Sequence, residues 1–479
     1  VSFMFTLDEV VGAVGGSVIY RNTSPDLPVT VGHVSNDTRT IGEGDLYVAI
    51  KGERFDGHDF LDKALEGGAS LLLVSDKDKL PERCVAVLVE DTVKALGDLA
   101  RLRRFKLGAR VICVTGSVGK TTTREMIVAA LEPSFKVFST KANRNNEIGL
   151  PTTILDAPED TEILVLEMGM RLRGEISYLT KIACPDIAVI TNVGYCHIER
   201  LGSREEIRLA KTEIMEGLTD NGILAVNGDD PFLFDYVRNM IPVGKGLAAV
   251  FATKTCDESV CNCPMKVTAE DKDLSGSGAS FTAVSDIAGK TEDLGRVVLK
   301  QAGIHSIRNA LFALLCAKLT GADIRKGEDA LASYGQMKGR GLVSKGALYT
   351  VINDAYNASP ESMAAAFESL SLMKCEGRKI AVLGGILELG DYAPMLHEEV
   401  GKECGKRHFD HVFLTGDNSG DLIRGMLSVD PDASYTLCAD TEEIKEKLEG
   451  FAKYNDTILF KASHAFGFEA LADYFLDKE

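Results

Sequence analysis

The stretch Thr115-Gly116-Ser117-Val118-Gly119-Lys120-Thr121-Thr122 directly follows the apolar run Val111-Ile112-Cys113-Val114 and opens a helical pattern that continues to Leu131. Glycines in such a turn let backbone N–H groups close on phosphate oxygens, and the helix N-terminus adds partial positive charge. Lys120 is placed to reach β and γ phosphates, and the hydroxyl of Thr121 suits Mg²⁺. The spacing is a short variant of the P-loop that lacks the first glycine of the longer pattern. A turn of purely structural purpose is the alternative; Gly-Lys-Thr between a strand and a helix points instead to ATP or GTP.

Outward from this loop, strands and helices alternate. Ile163–Leu166, Ile187–Ile190 and Ile223–Val226 are short β-branched runs bounded by turn residues, and helical patterns separate the first three strands of the region. That pattern predicts a mostly parallel, buried, doubly wound sheet. Residues 250 to 300 differ, with Cys, Ser and Gly clusters and the alternating piece Ser280-Phe281-Thr282-Ala283-Val284, which predicts an antiparallel excursion before a helix over Ser306–Leu319. After Lys338-Gly339-Arg340-Gly341 the alternation restarts, with strands expected at Tyr349–Ile352, Ile380–Leu383, Val412–Leu414 and Ile458–Phe460. Before the P-loop, short strands such as Leu46–Ile50 mix with helices, and the basic run Arg101, Arg103, Arg104, Lys106 ends a helix just ahead of the strand at 111. The expected organisation is three α/β domains, 1–108, 109–340 and 341–479.

Composition narrows the partners. The 479 residues are 45% hydrophobic and carry 53 Lys plus Arg against 71 Asp plus Glu, a formal charge of −18. That field repels phosphate backbones and anionic lipid, so nucleic acid is not expected as a partner and a bound nucleotide must be held by local groups. No apolar run approaches the roughly 18 residues of a membrane span, and Asp8 and Glu9 stand where a signal peptide would be basic, so the chain is read as cytosolic. Most of the 11 cysteines sit singly in apolar segments (Cys113, Cys184, Cys316), as in a reducing compartment. Cys256, Cys261 and Cys263 cluster without the Cys-x-x-Cys spacing of a zinc site and are read as a surface loop.

Three more residues join the P-loop as candidates. Glu167 ends the strand Ile163–Leu166, at the carboxyl edge where open α/β sheets meet their ligands, and its carboxylate could hold Mg²⁺ or be a solvated strand-end group. His197 follows the next strand at the same edge. In the helix beyond it, Ile207, Ala210, Ile214 and Leu218 form one apolar stripe, and Lys211 falls within that stripe. A buried ammonium is costly and loses its proton readily. Two readings follow: the neutral amine takes up CO2 to form a carbamate that binds a second Mg²⁺ with His197, or Lys211 pairs with Glu213 or Glu216, or snorkels.

Gly116-Ser117-Val118-Gly119-Lys120-Thr121 followed by Asn143-Arg144-Asn145-Asn146-Glu147-Ile148-Gly149-Leu150-Pro151 resembles the Mur ligases, especially their MurF branch. The resemblance covers nearly the whole chain. It implies a central doubly wound P-loop ATPase domain between a small N-terminal α/β domain that binds a UDP-sugar and a C-terminal Rossmann-like domain that binds the incoming dipeptide and closes over ATP. The implied reaction activates the carboxyl of UDP-N-acetylmuramoyl-tripeptide as an acyl phosphate and joins it to D-Ala-D-Ala, in a cytoplasmic enzyme taken to be a monomer. By motif, Asp37, Thr38 and Arg39, Phe55, Asp56, Gly57 and His58, with Asn145 and Asn146, match the UDP-substrate segments. Gly116, Ser117, Gly119, Lys120, Thr121 and Thr122, with Asn309, Arg340 and Asp354, match the ATP positions; Tyr356 and Asn357 match the dipeptide loop. The resemblance further implies two Mg²⁺ ions, held by Thr121, Glu167, His197 and a Lys211 carbamylated by CO2, with Lys120, Lys211 and His197 in the catalytic set.

The last domain departs from the family pattern: Leu342 replaces an acidic residue, Gly384-Gly385 a Gly-Asp pair, and Lys461-Ala462-Ser463-His464 a Lys-Gly-Ser-Arg run. These departures bear on the identity of the dipeptide, since this domain presents the amino acceptor; the near rival is a different Mur-type or folylpolyglutamate-type ligase, against which the Asn145–Gly149 stretch and the Tyr356-Asn357 loop argue. A P-loop regulatory NTPase that ligates nothing is the reading from another class.

Overall fold

The computed structural model describes residues 4–26, 28–253, 263–274, 278–335 and 338–478. Its centre is a nine-stranded sheet in the order Lys290–Leu299, Ala279–Ile287, Met265–Asp273, Gly246–Phe251, Ile223–Asn227, Ile187–Ile190, Arg110–Thr115, Ile163–Glu167, Val137–Ser139. The strands from Met265–Asp273 to Val137–Ser139 run parallel, and the last two of the chain's nine return antiparallel. The antiparallel excursion expected from 250 to 300 is thus an extension of the same sheet. Cys256 and Cys261 lie outside the described residues, and Cys263 is buried.

Burial on both faces explains the apolar runs. Arg110–Thr115 is buried at every position but its first and pairs with Ile187–Ile190 on one side and Ile163–Glu167 on the other. One face is covered by Lys120–Leu131 and by Ile304–Thr320, a helix apolar nearly all round, as its place between two layers requires. The other face carries the helices Gly149–Leu155, Glu175–Ala183 and Thr92–Leu107. Of the basic run of that last helix, Arg101 and Lys106 are exposed, but the middle two are not. Arg103 and Arg104 are buried and bond the carbonyls of Ala157, Ala183, Ala109 and Cys184, which ties the helix to the central layer.

Before this helix lies a five-stranded sheet ordered Ser17–Arg21, Cys84–Leu88, Leu71–Val74, Leu46–Val48, Val34–Ser35, with a two-stranded pair, Phe5–Thr6 and Thr30–Val31, beside it. After the central sheet comes a six-stranded one, ordered Leu342–Lys345, Thr350–Asn353, Thr457–Lys461, Lys379–Leu383, His411–Leu414, Tyr435–Leu437. Its four inner strands are those expected, shifted by a residue or two. The two edge strands were not anticipated, because both are short and neither has a buried residue. No helix is long and apolar enough to cross a membrane among the described residues.

Chain order places the site. From Arg110–Thr115 the chain goes to the sheet edge, returns to Ile163–Glu167 on one side, then crosses to Ile187–Ile190 on the other. The reversal leaves a crevice above the carboxyl ends of these three strands, where open α/β sheets bind ligands.

Candidate functional site

A cavity of 460 Å³ opens at this crevice. Ser117, Gly119, Lys120, Thr121, Thr122, Asn145, Glu167, His197 and Asn309 line it from the central sheet, and Arg340, Asp354, Tyr356 and Asn357 from the third. Gly116, the buried Lys211 and the exposed Asn146 are not among its lining residues, and Asp37, Thr38, Arg39, Phe55, Asp56, Gly57 and His58 lie apart, around the first sheet.

The P-loop is built as its sequence predicts. Gly116 has φ +150°, and a Cβ there would collide with the hydroxyl of Thr191; Gly119, at φ +84°, leads directly into the helix Lys120–Leu131. The loop is pinned by the neighbouring strand end, which sequence reasoning passed over. Asn192 accepts from Val118 N–H at 2.9 Å and donates to Val118 C=O at 2.9 Å, while Thr191 donates to the same carbonyl at 2.6 Å. The Lys120 ammonium rests on the carbonyl of Gly116 at 2.9 Å, within the loop whose phosphates it would meet.

Glu167 is buried at its strand end and held between Arg124, at 3.2 Å, and Asn145, which donates at 3.0 Å. Arg124 is fully buried on the P-loop helix and bonds Glu125 as well. It too was missed, since an arginine in the helical run Lys120–Leu131 looks like a solvated residue. Also lining the cavity, Asn309, a motif-matched ATP position, accepts from Thr123 Oγ1 at 3.0 Å. Gln301 and His305 line the same region, and burial lowers the His305 pKa to about 4.

Lys211 is 2% exposed, inside the stripe the sequence outlined, although its helix Arg204–Thr212 tightens to a 3₁₀ turn at Glu213–Gly217. Neither expected ion pair forms. Glu213 accepts from the backbone of Gly174 and Ser177, and Glu216 pairs with Lys181 at 2.7 Å. No carboxylate lies within 4.0 Å of the Lys211 ammonium among the described residues, and burial, with Lys120 nearby, lowers its pKa to about 7. Ordinary lysines titrate near 10.4, so a sizeable neutral fraction at neutral pH separates this amine from the chain's surface lysines.

His197 sits at φ +64°, just before the short helix Ile198–Leu201, and lines the cavity. Burial lowers its pKa, and its Nδ1 lies 2.6 Å from Glu388 of the third sheet. The third sheet makes further contacts here. Glu361 accepts from Tyr195 N–H at 2.8 Å, and Asn143 donates to the Tyr356 hydroxyl. Arg340 stacks over Tyr356 with its guanidinium 4.0 Å from the ring centroid. Asp354 is paired with Lys461 at 2.8 Å, and burial raises its pKa against that attraction.

On the first sheet, Arg39 bonds Asp37 at 2.6 Å and keeps an exposed guanidinium, and Phe55 is 73% exposed. Asp56 bonds both Lys79 and His58. The His58 ring is turned inward, 4% exposed, with Nδ1 on Asp56 at 2.7 Å and Nε2 accepting from Ser75 N–H at 3.0 Å. The Asn146 side chain accepts from Gly149 N–H at 2.8 Å, just ahead of the helix Gly149–Leu155.

Oxygen donors at Thr121 and Glu167, and a buried amine without a counter-ion beside a cavity-facing histidine, fit a site for hard divalent cations once the amine carries a carboxylate. No cluster of three or more His, Cys, Asp or Glu side chains suited to a metal occurs among the described residues, so any such site needs donors of other kinds.

Comparison with known proteins gives the arrangement its context. Residues 30–104 match the Mur ligase family, catalytic domain, residues 114–317 the Mur ligase middle domain, and residues 339–464 the Mur ligase, glutamate ligase domain. The UDP-N-acetylmuramoyl-tripeptide–D-alanyl-D-alanine ligase of Bacillus subtilis (strain 168) is 38% identical over 454 residues, 94% of each chain. The Escherichia coli (strain K12) ligase of the same name is 33% identical, over 82% of each. Among solved structures, MurF from Acinetobacter baumannii superposes with a TM-score of 0.85 at 26% identity over 99% of both chains. MurF ligase from Thermotoga maritima, in complex with ADP, does so with a TM-score of 0.77 at 32% identity over 92% of this chain and 96% of that one. Similarity of this extent, across all three sheets and the cradle between them, makes the chain a member of the Mur ligase family, in its MurF branch.

Proposed function

We propose that this chain is an ADP-forming, ATP-dependent ligase that adds D-Ala-D-Ala to UDP-N-acetylmuramoyl-tripeptide in peptidoglycan precursor synthesis. The observation that carries the reading is the shared cavity, in which the phosphate cradle of the central sheet faces the Arg340–Asn357 loops of the third. A hydrolase or switch needs only the cradle; a ligase must also present an amine to the activated carboxyl.

The domains divide the work as 1–108 for the UDP-sugar, 109–340 for ATP and 341–479 for the dipeptide. Asp37, Thr38, Arg39 and the Phe55–His58 segment meet the UDP-substrate on the first sheet, with His58 shaping that segment from beneath through Asp56 and Ser75. Asn145 and Asn146 continue the path towards the cavity. Gly116, Ser117, Gly119 and Thr122 cradle phosphates, Asn309 reads the base, and Arg340 and Asp354 meet the nucleotide from the third sheet. Tyr356 and Asn357 receive the dipeptide.

Lys120 leaves the Gly116 carbonyl for the β and γ phosphates and neutralises charge on the transferring group, the effect from which P-loop catalysis draws most of its rate. Thr121 and Glu167 would hold one Mg²⁺, and His197 and carbamylated Lys211 a second; bound there, the cations supply charge neutralisation at the phosphates and substrate carboxylate. Carbamylation joins the neutral Lys211 nitrogen to the carbon of CO2 and releases one proton, turning a costly buried cation into an anion with oxygen donors. The free amine of the dipeptide attacks the acyl phosphate and phosphate leaves. Docking of the third sheet keeps water from the intermediate. In this reading the enzyme acts as a cytoplasmic monomer.

The test is phosphate release from ATP with UDP-N-acetylmuramoyl-tripeptide present, comparing no acceptor, D-Ala-D-Ala and single amino acids, with products weighed by mass spectrometry. Release that depends on D-Ala-D-Ala, with a pentapeptide product, is expected. Release independent of any acceptor, without a ligated product, would mark a P-loop NTPase instead.

A further inference from the structure

His197 and Glu388 meet across the seam between the central and third sheets, and both hold backbone conformations that non-glycine residues seldom adopt, with φ +64° and +61°. Such conformations persist where the surroundings over-determine them, and they gather at functional sites. The seam supplies that determination. Glu199 N–H donates to the Glu388 carbonyl at 3.3 Å, and the Tyr392 hydroxyl donates to the Gly202 carbonyl at 3.0 Å. Gly390, at φ +52°, packs so closely on Glu199 that an added Cβ would lie 3.1 Å from its Cγ. The two short segments, one from each sheet, are therefore fitted to each other, and the Nδ1–Oε2 contact of 2.6 Å is their polar centre.

A carboxylate oxygen only accepts, so at this distance Nδ1 carries the proton and donates it to Glu388. Nε2 is then left with its lone pair. It has no protein partner among the described residues, and the ring lines the phosphate cavity. A histidine that binds a cation through one nitrogen commonly has the other held by a carboxylate, which fixes ring orientation and strengthens the donor. Here that carboxylate comes from a different sheet from the histidine.

We propose that Glu388 is a positioning residue through which the third sheet, on docking, sets the orientation and tautomer of His197 and so completes the cation site of the central sheet. The inference rests on the reading of His197 as a cation-holding residue. Cation binding and docking are then linked, and each tightens the other by the same factor. An open chain holds the second ion weakly, which ties activation of the carboxyl to the arrangement that keeps water out.

Mn²⁺ serves as the probe, titrated by electron paramagnetic resonance into the full chain with a non-hydrolysable ATP analogue and UDP-N-acetylmuramoyl-tripeptide. The unaltered chain is expected to bind two ions, one with imidazole nitrogen coupling in the pulsed spectrum. Glu388→Ala should weaken that ion about 10- to 100-fold and diminish the coupling. Glu388→Gln, whose amide oxygen still accepts from Nδ1, should lose less affinity and keep the coupling, and it decides the matter if the alanine variant does not fold. His197→Ala separates the two readings. If it keeps both ions, the assignment of His197 fails; if it loses one while both Glu388 variants bind Mn²⁺ as the unaltered chain does, the role of Glu388 is overturned.

Discussion

Gly116 illustrates how much a single position can depend on a distant one. Its φ of +150° and its closeness to Thr191 both exclude a side chain, and Thr191 is itself fixed by donating to Val118 within the loop. Gly116→Ala must therefore shift the loop or the strand end. The expected result is loss of nucleotide affinity by about 100-fold or more, as for a small displacement of groups that must all meet one ligand, with the fold retained. Titration of the variant with an ATP analogue, alongside its circular dichroism, checks this. Lys211 shows the complementary case, because its neighbours rather than its own motif make it unusual. The carboxylates nearest in sequence turn to other partners, so the more distant Cys196 and Glu361 offset its desolvation only in part.

At the scale of an element, the P-loop helix Lys120–Leu131 serves two ends of the site. Its N-terminus opens on the cavity, while Arg124, one turn in, reaches across to Glu167 on the neighbouring strand. Both partners are buried, at 1% and 3% exposure, so removal of the arginine leaves a carboxylate without its counter-ion. Arg124→Met is expected to destabilise the chain by about 3–5 kcal/mol, read as a shift of the urea unfolding midpoint. Glu167→Gln in the same background should recover part of the loss, since the unpaired charge is then gone. Had Arg124 been a solvated helix residue, neither change would move the midpoint measurably.

Across the whole molecule, the seams between sheets decide what the site can do. Glu361 reaches from the third sheet to Tyr195, and Gly194 leaves just enough room for it; a Cβ at Gly194 would strike that carboxylate. Gly194→Ala should therefore turn the Glu361 side chain away and remove its bond to Tyr195 N–H. The seam should weaken by about 1.5–3 kcal/mol, as for a lost hydrogen bond to a charged group, with turnover reduced and the radius of gyration by small-angle scattering unchanged; an enlarged radius would mean that the third sheet undocks. At the other seam, His33 of the first sheet lies 3.0 Å from Asp156, which also pairs with Arg144 at 2.8 Å. The hydrogen bond to Asp156 raises the His33 pKa above its ordinary value. A raised folded pKa means this contribution is complete below about pH 6.5 and is lost as pH rises through the folded value. His33→Gln should then lower apparent stability by less than about 1 kcal/mol in mild acid and not at all well above neutrality, measured by melting at several pH values.

What was legible in the sequence shares one property, short range. The strand, turn and helix of 111–131, the parallel sheet, the inner strands of the third sheet and the apolar stripe around Lys211 all follow from residues within a turn or two of each other, where periodicity and turn chemistry act. The burial of Lys211 could be read from its helix, but its lack of a counter-ion could not. Arg124 and Glu167 are 43 residues apart, Val118 and Asn192 are 74, Tyr195 and Glu361 are 166, and His197 and Glu388 are 191. No local pattern marks such pairs, because their geometry exists only once separate sheets have packed. The sequence by itself determined the cradle and the kind of sheet that holds it; tertiary structure decided which charged groups pair, which stay unpaired, and which sheet completes the site, since desolvation and hydrogen bonding depend on neighbours the chain brings in from afar.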